Sequence, residues 1–242
     1  MIKKLFVSID DTDDIGTKGT GDIAQDIINQ IVESNLGTCS RITRHQLFVH
    51  EDIPYTSHNS SMCFEVNGKA LDMQEIKRVA EIVIDRESAE ASDPGLCILK
   101  FDEEEDYSKL ITYGIAAKIE VLNKEGAYVL ADEFDLFLNE YGGTGDGIIG
   151  ALAGVGLRLS GGDGRHKGRI NIPIGKYNVK ELMQHEFIDR VKTVAGSTLN
   201  DDEYVHIGDK VKTVFLNHNS VLLVENIDGV FINAKKQTLR SY

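Results

Sequence analysis

Asp10, Asp11, Asp13 and Asp14 crowd one short stretch, and the glycine and threonine loop Gly16-Thr17-Lys18-Gly19-Thr20-Gly21 follows it. Carboxylates held this close repel one another unless a cation sits among them. Magnesium, a hard ion, keeps several waters and combines one or two protein carboxylates with phosphate oxygens. The loop runs into an apolar helical stripe, Ile23, Ala24, Ile27, Ile28, Ile31 and Val32, with Thr20 as the expected N-cap. Helix N-termini attract phosphate through free amides and the helix dipole, and glycine lets the backbone approach. Asp10, Asp11 and Asp13 are therefore candidate magnesium ligands, and Thr17, Gly19, Thr20 and Gly21 a candidate phosphate loop. No Gly-Lys-Ser/Thr closes the loop, so it is not a Walker A motif. A solvated acidic turn would explain the aspartates alone, but not their place between an apolar strand, a glycine loop and a helix.

The same design recurs later. Gly142-Gly143-Thr144-Gly145-Asp146-Gly147 leads into the apolar segment 148–156. Gly143, Thr144 and Gly145 are candidate phosphate-binding residues, and Asp146 is a fourth candidate metal ligand. A triphosphate with its metal is large enough to need both loops, which predicts that they lie side by side. Gly150 and Gly154 would leave one helix face bare, which predicts close packing against another backbone. Arg158, Arg165, Lys167 and Arg169 follow, interspersed with glycines, as a candidate anion clamp. Asp11, Arg165 and Lys167 are the candidate catalytic residues, the two cations serving transition-state charge. His45, His50 and His58 fit no metal spacing and are expected to be surface or hydrogen-bonded, while Asn59 is placed to present an amide beside the first site.

The elements that must hold these residues read as follows. Residues 2–9 are almost continuously apolar, as in a strand covered on both faces. Residues 39–49 are extended, and 62–66, 73–84 and 95–101 form a β-α-β unit with a turn at Ser92-Asp93-Pro94-Gly95. The acidic run 102–106 reads as a solvated loop. Segment 111–119 fits strand or helix, 128–139 reads as helix, and 177–194 as a further helical segment. Residues 204–212, 213–217, 221–225 and 230–234 read as short strands, a β appendage that closes the fold or offers a homodimer edge.

Composition sets limits on all of this. The 242 residues, 41 % hydrophobic and 27 % charged, suit one large or two modest globular domains. No apolar run approaches the roughly 18 residues of a membrane span, and the N-terminus has no signal-peptide pattern, so the expectation is a cytoplasmic protein without membrane contact. Cys39, Cys63 and Cys97 form no close pair and are expected as buried or half-buried thiols. A net charge of −13 disfavours tRNA as a partner, because affinity for nucleic acid comes mainly from Lys and Arg.

Asp10-Asp11-Thr12-Asp13 with its loop, residues 54–59, Ser92-Asp93-Pro94-Gly95 and Gly147-Ile148-Ile149-Gly150-Ala151-Leu152-Ala153 occur in the order seen in the archaeal agmatidine synthases. Over residues 1–175 the chain resembles that family, the tRNA-isoleucine 2-agmatinylcytidine synthetases, which use ATP to join agmatine to a tRNA cytidine. The resemblance implies a mixed α/β, or α+β, fold. Its parts would be a kinase-like ATP domain (1–60 and 110–200), an inserted ferredoxin-like domain (61–109) and a small C-terminal β appendage (201–242). It also implies ATP and Mg2+ as cofactors. Asp14 stands where the family has serine, Lys18-Gly19-Thr20-Gly21 differs from the family loop, and the sequence has no counterpart of the family's OB-fold and zinc-ribbon domains. The expected function is ATP- and magnesium-dependent phosphoryl transfer or ligation, on a nucleotide and an unidentified acceptor. The alternatives are a nucleotide-binding regulator without turnover and an RNA-modification subunit that needs a partner.

Overall fold

The computed structural model describes residues 3–55 and 58–242, in two compact units, residues 1–160 and 161–242. Ile2 of the first apolar run and Thr56 and Ser57 of the 54–59 motif lie outside the described residues.

The first unit begins with β1 (Lys3–Asp10), α1 (Thr20–Glu33), β2 (Thr38–Cys39), β3 (Thr43–Gln46), β4 (Ser60–Gly68), α2 (Met73–Glu87) and β5 (Gly95–Lys100). It continues with α3 (Ser108–Ala116), α4 (Lys124–Glu133), β6 (Phe137–Glu140) and α5 (Gly147–Ser160). Its strands run in the order β6-β5-β1-β4-β3, all antiparallel, with β2 also on β4. β1 is central: Ser8 sits opposite Cys63 on one side and Cys97 on the other. The order β5-β1-β4-β3 with α1 and α2 as crossovers is a ferredoxin-like arrangement. Segment 61–109 therefore shares its sheet with strands from before residue 60.

Alternation along β1 divides the core. Leu5, Val7 and Ile9 pack with Ile23, Ile27 and Ile31 of α1 and Ile76, Ala80 and Ile84 of α2. Phe6 packs on the other face with Cys97, Leu99, Leu110, Ile148, Leu152 and Val155. The strand is thus covered on both faces, as its almost continuous apolar run requires. Gly150 and Gly154 meet this second face. A Cβ on Gly150 would overlap the Asp10 carboxylate, and one on Gly154 would overlap the Ser8 and Ser61 hydroxyls. The bare helix face is what lets α5 lie against β1 and β4.

The helical stripes are fixed at their ends by local chemistry. Asp72 caps α2 by accepting from the amides of Gln74, at 2.9 Å, and Glu75, at 3.2 Å. Asp72→Ala is expected to cost about 1 kcal/mol, read as a lower urea midpoint with an unchanged slope. Segment 111–119 resolves as the helix α3. The helix expected over 128–139 is corrected: α4 ends at Glu133, Asp135 takes φ 50, and Phe137 to Glu140 become an edge strand with Phe137 opposite Ile98. Apolar spacing in this stretch suits either state, and an open sheet edge selects the strand.

The second unit contains β7 (Arg165–His166), β8 (Gly175–Asn178), α6 (Val179–Leu182), β9 (Arg190–Thr193), β10 (Tyr204–Ile207), β11 (Val214–Leu216), β12 (Asn219–Ile227), β13 (Val230–Asn233) and a final 3-10 turn (Thr238–Ser241). Its strands run β7-β11-β12-β13-β10-β8, with β9 parallel to β12. The short strands expected after residue 204 are present. The helix expected over 177–194 is a single turn between two strands, started by a capping box of Asn178 and Glu181. The strands around it bury Tyr177 partly and Val191 fully, so the tertiary environment overrides the helical spacing. Cys63 and Cys97 are buried and Cys39 half-buried, all free thiols, in line with expectation. Among the described residues no helix is long and apolar enough to cross a membrane.

Candidate functional site

β1 carries Asp10 to its C-terminal end, against Gly150 of α5. Asp10 is 7 % exposed, and its carboxyl is pushed up to about 8 by burial and by Asp11, with the Asp11 amide hydrogen bond and Arg44 opposing. The chain then turns through Asp11 at φ 51, a left-handed conformation that aspartate tolerates better than most side chains. Asp11 is raised to about 6 by burial and then by Asp93, Asp13 and Asp146. Three separate segments therefore bring negative charge to one place: the end of β1, the turn before β5 and the start of α5.

The first loop is tied down by its own hydroxyls. Thr17 closes a turn on Asp14, its hydroxyl accepting from the Asp14 amide and donating to the Asp14 carbonyl, both at 2.8 Å. The expected N-cap is corrected here. Gly19 occupies that position, in extended geometry, and Thr20 is the first helical residue, with its hydroxyl donating to Asp13 at 2.5 Å. Gly19 and Gly21 leave the entry to α1 bare. Lys18 is drawn to the carboxylates of Asp26 and Glu87.

The second loop is built around Asp93. Its carboxylate accepts from the Thr144 amide, and the Thr144 hydroxyl lies 3.0 Å from Asp93 Oδ2 and 2.9 Å from Asp146 Oδ2. Gly143 at φ 53 and Gly145 at φ 79 supply the left-handed turns that wrap Thr144 over Asp93. Lys124 reaches the Thr144 carbonyl and lies 3.3 Å from Glu140. Asp11 feels the charges of both Asp13, beside the first loop, and Asp146, inside the second, so the two loops flank one acidic centre.

Other expected residues lie differently. Arg158 is 4 % exposed and pairs with Glu65 at 3.0 Å, while also donating to Thr43 and Ser40. It lies in the last turn of α5, eleven residues from Gly147, or about 16 Å along the helix. It is therefore a structural ion pair and not part of an anion clamp. Arg165 and Lys167 belong to the second unit: Arg165 is buried and donates to the Leu239 carbonyl at 3.3 Å, and Lys167 is half-exposed. The Asn59 side-chain amide is used locally, donating to the Phe48 carbonyl at 2.6 Å. His45 is fully buried and hydrogen-bonded to Thr43, within the expected alternatives.

Sequence reasoning missed three contributors, Asp93, Lys124 and Arg44. Asp93 stood in a segment read only as a turn, although its Ser-Asp-Pro-Gly context was visible. Lys124 and Arg44 had no local signal, because strand pairing and helix packing alone bring them in.

All donors in the cluster are carboxylate oxygens, the chemistry that magnesium prefers. Among the described residues, no three His, Cys, Asp or Glu side chains are grouped so as to hold a metal by themselves. The cluster thus fits an ion that takes its remaining ligands from water and phosphate.

No family model matches the chain, and no curated protein matches it. Solved structures do. The complex of TiaS with tRNA(Ile2) and ATP aligns at TM-score 0.56 and 22 % identity, over 83 % of this chain and 50 % of that one. The complex with tRNA(Ile2), AMPCPP and agmatine aligns at 0.55 and 24 %, over 74 % and 43 %. Apo TiaS, the tRNA(Ile2) agmatidine synthetase, aligns at 0.54 and 22 %, over 86 % and 49 %. The chain shares its fold with part of the TiaS structures. It spans half or less of the length of the TiaS chains it matches. The resemblance drawn from the motif order is met at the level of fold, and the chain is mixed α/β as that resemblance implied.

Proposed function

We propose that this chain is an ATP- and magnesium-dependent enzyme of the phosphoryl-transfer or ligase type, centred on Asp10, Asp11, Asp13 and Asp146. The observation that carries this reading is the tie of Asp93, Thr144 and Asp146 at the start of α5 and of Asp13 and Thr20 at the start of α1, with Asp11 raised by burial and by Asp93, Asp13 and Asp146. Such an arrangement is costly in isolation and useful around a cation. The agmatidine synthetase fold supports it, because structures with that fold were solved with ATP, AMPCPP, agmatine and tRNA(Ile2).

In this reading one or two of the carboxylates of Asp10, Asp11, Asp13 and Asp146 would hold the ion, and water and phosphate oxygens would complete its shell. When bound, magnesium supplies neutralisation of the phosphate oxygens and a fixed orientation for the triphosphate. The chain's own residues do the rest. The loops of Thr17, Gly19, Thr20 and Gly21 and of Gly143, Thr144 and Gly145 offer backbone amides at the starts of α1 and α5. Asp93 keeps Thr144 and its loop in place. Lys124 and Arg44 supply positive charge within the first unit. The acceptor is a nucleophile whose attack displaces a phosphoryl group or follows its transfer, and RNA is included among the candidates on the strength of the tRNA complexes sharing the fold.

Isothermal titration with ATP and magnesium tests the proposal. Saturable heat is expected for the native chain. Asp93→Asn should weaken binding about tenfold, as loss of one charge-assisted loop contact would. Absence of heat with both ATP and GTP would remove the proposal.

A further inference from the structure

Arg165 is the most anomalous charge in the second unit. It sits on β7 opposite Val214, is 7 % exposed, and spends one of its five N–H donors on the Leu239 carbonyl at 3.3 Å. Among the described residues no salt bridge between Arg165 and a carboxylate is formed. The charge that acts on it is another cation, Arg240, next in sequence to Leu239 on the terminal turn. Burial and Arg240 both pull the Arg165 guanidinium below its ordinary value. A buried guanidinium under the repulsion of a second one is unfavourable unless an anion offsets both charges.

The neighbouring sequence has the same character. Residues 234–242 contain Lys235, Lys236 and Arg240 and no acidic residue, in a chain whose net charge is −13. Lys235, Lys236 and Arg240 are exposed, whereas Arg165 is enclosed behind the turn. A planar guanidinium at the back and an exposed one in front suit oxygens bound bidentately from two sides.

We infer that Arg165 and Arg240 form a phosphate-binding site in the second unit, with Lys235 and Lys236 drawing the anion in. The recognised group is a phosphoryl oxygen pair, carried by free phosphate or by the backbone of an RNA. The site needs only residues 161–242, so it stands whether or not the first unit binds ATP.

The test uses the full chain without magnesium, comparing thermal unfolding in inorganic phosphate and in chloride at equal ionic strength. Phosphate is expected to raise the midpoint of the native chain above that in chloride. Arg240→Ala, an exposed change, should weaken the phosphate response about tenfold or more. Arg165→Met should abolish the response and, without phosphate, leave the chain at least as stable as the native one, since it removes an unpaired buried charge. Competition of phosphate by a short single-stranded RNA would assign the site to backbone phosphodiester, and absence of competition to free phosphate. The inference is overturned if phosphate and chloride act alike on the native chain. It is equally overturned if Arg240→Ala keeps the full response.

Discussion

Without divalent cations, the protein should unfold more easily as pH rises from about 4 to 8, and magnesium should restore the lost stability. The direction follows from linkage. Asp10 and Asp11 have an ordinary value of 3.8 but are held near 8 and 6 in the fold. Between those limits the folded chain binds more protons than the unfolded one, so stability falls with rising pH, by about 1.4 kcal/mol per pH unit for each proton. Both carboxyls are coupled, so the loss is spread over the whole window and belongs to the pair. Glu65 acts in the opposite sense. Against the upward pull of burial, Arg158 and Lys4 hold it below its usual 4.5, so its contribution is lost only as pH falls through that lower value. Above pH 5 the aspartates dominate. Urea midpoints measured across this range, with and without magnesium, check the result. Asp11→Asn keeps a residue suited to φ 51 and should flatten the lower part of the curve, below about pH 6, while abolishing the magnesium effect. A midpoint that climbs with pH, or ignores magnesium in the native chain, would return the aspartates to the status of a solvated turn.

Gly95→Ala is expected to lower stability by about 3 kcal/mol, at the upper end of overpacking effects, and to abolish ATP binding as well. A Cβ on Gly95 would overlap the Gly147 backbone, and one on Gly147 would overlap the Asp93 carbonyl. Backbone meets backbone here, so no side chain can swing aside. The two glycines lock the start of β5 to the start of α5, and this lock sets the distance between Asp93, Asp146 and the Asp11 carboxylate. Gly19→Ala serves as the control, because nothing lies near its Cβ and its φ is −70. That change should stay within about 0.5 kcal/mol. Equal losses from the two substitutions would show that the close approach of β5 and α5 is not what holds the site.

Much of the first unit was legible before folding. The almost continuous apolar run in β1 required cover on both faces, the stripe in α1 defined one covering helix, and Gly150 with Gly154 announced the close approach of α5. These signals are local, because each depends on spacing within one element. The strand at residues 137–140 and the strands around 179–182 escaped the same reasoning, since short apolar spacings fit strand and helix alike until a sheet edge is available to pair with.

The candidate site divides in the same way. The sequence by itself determined the aspartates at the end of β1, the two glycine and threonine loops and their entry into helices, because side-chain type and backbone freedom are properties of short segments. Only the tertiary structure decided that Asp93 anchors the second loop and that Asp146 faces Asp11. It also decided that Arg158 pairs with Glu65 and that Arg165 is buried against the Leu239 carbonyl, beside Arg240 in the sequence. Electrostatic energy depends on distance and burial, and for residues far apart in sequence both quantities exist only once the sheet has paired and the helices have closed over it.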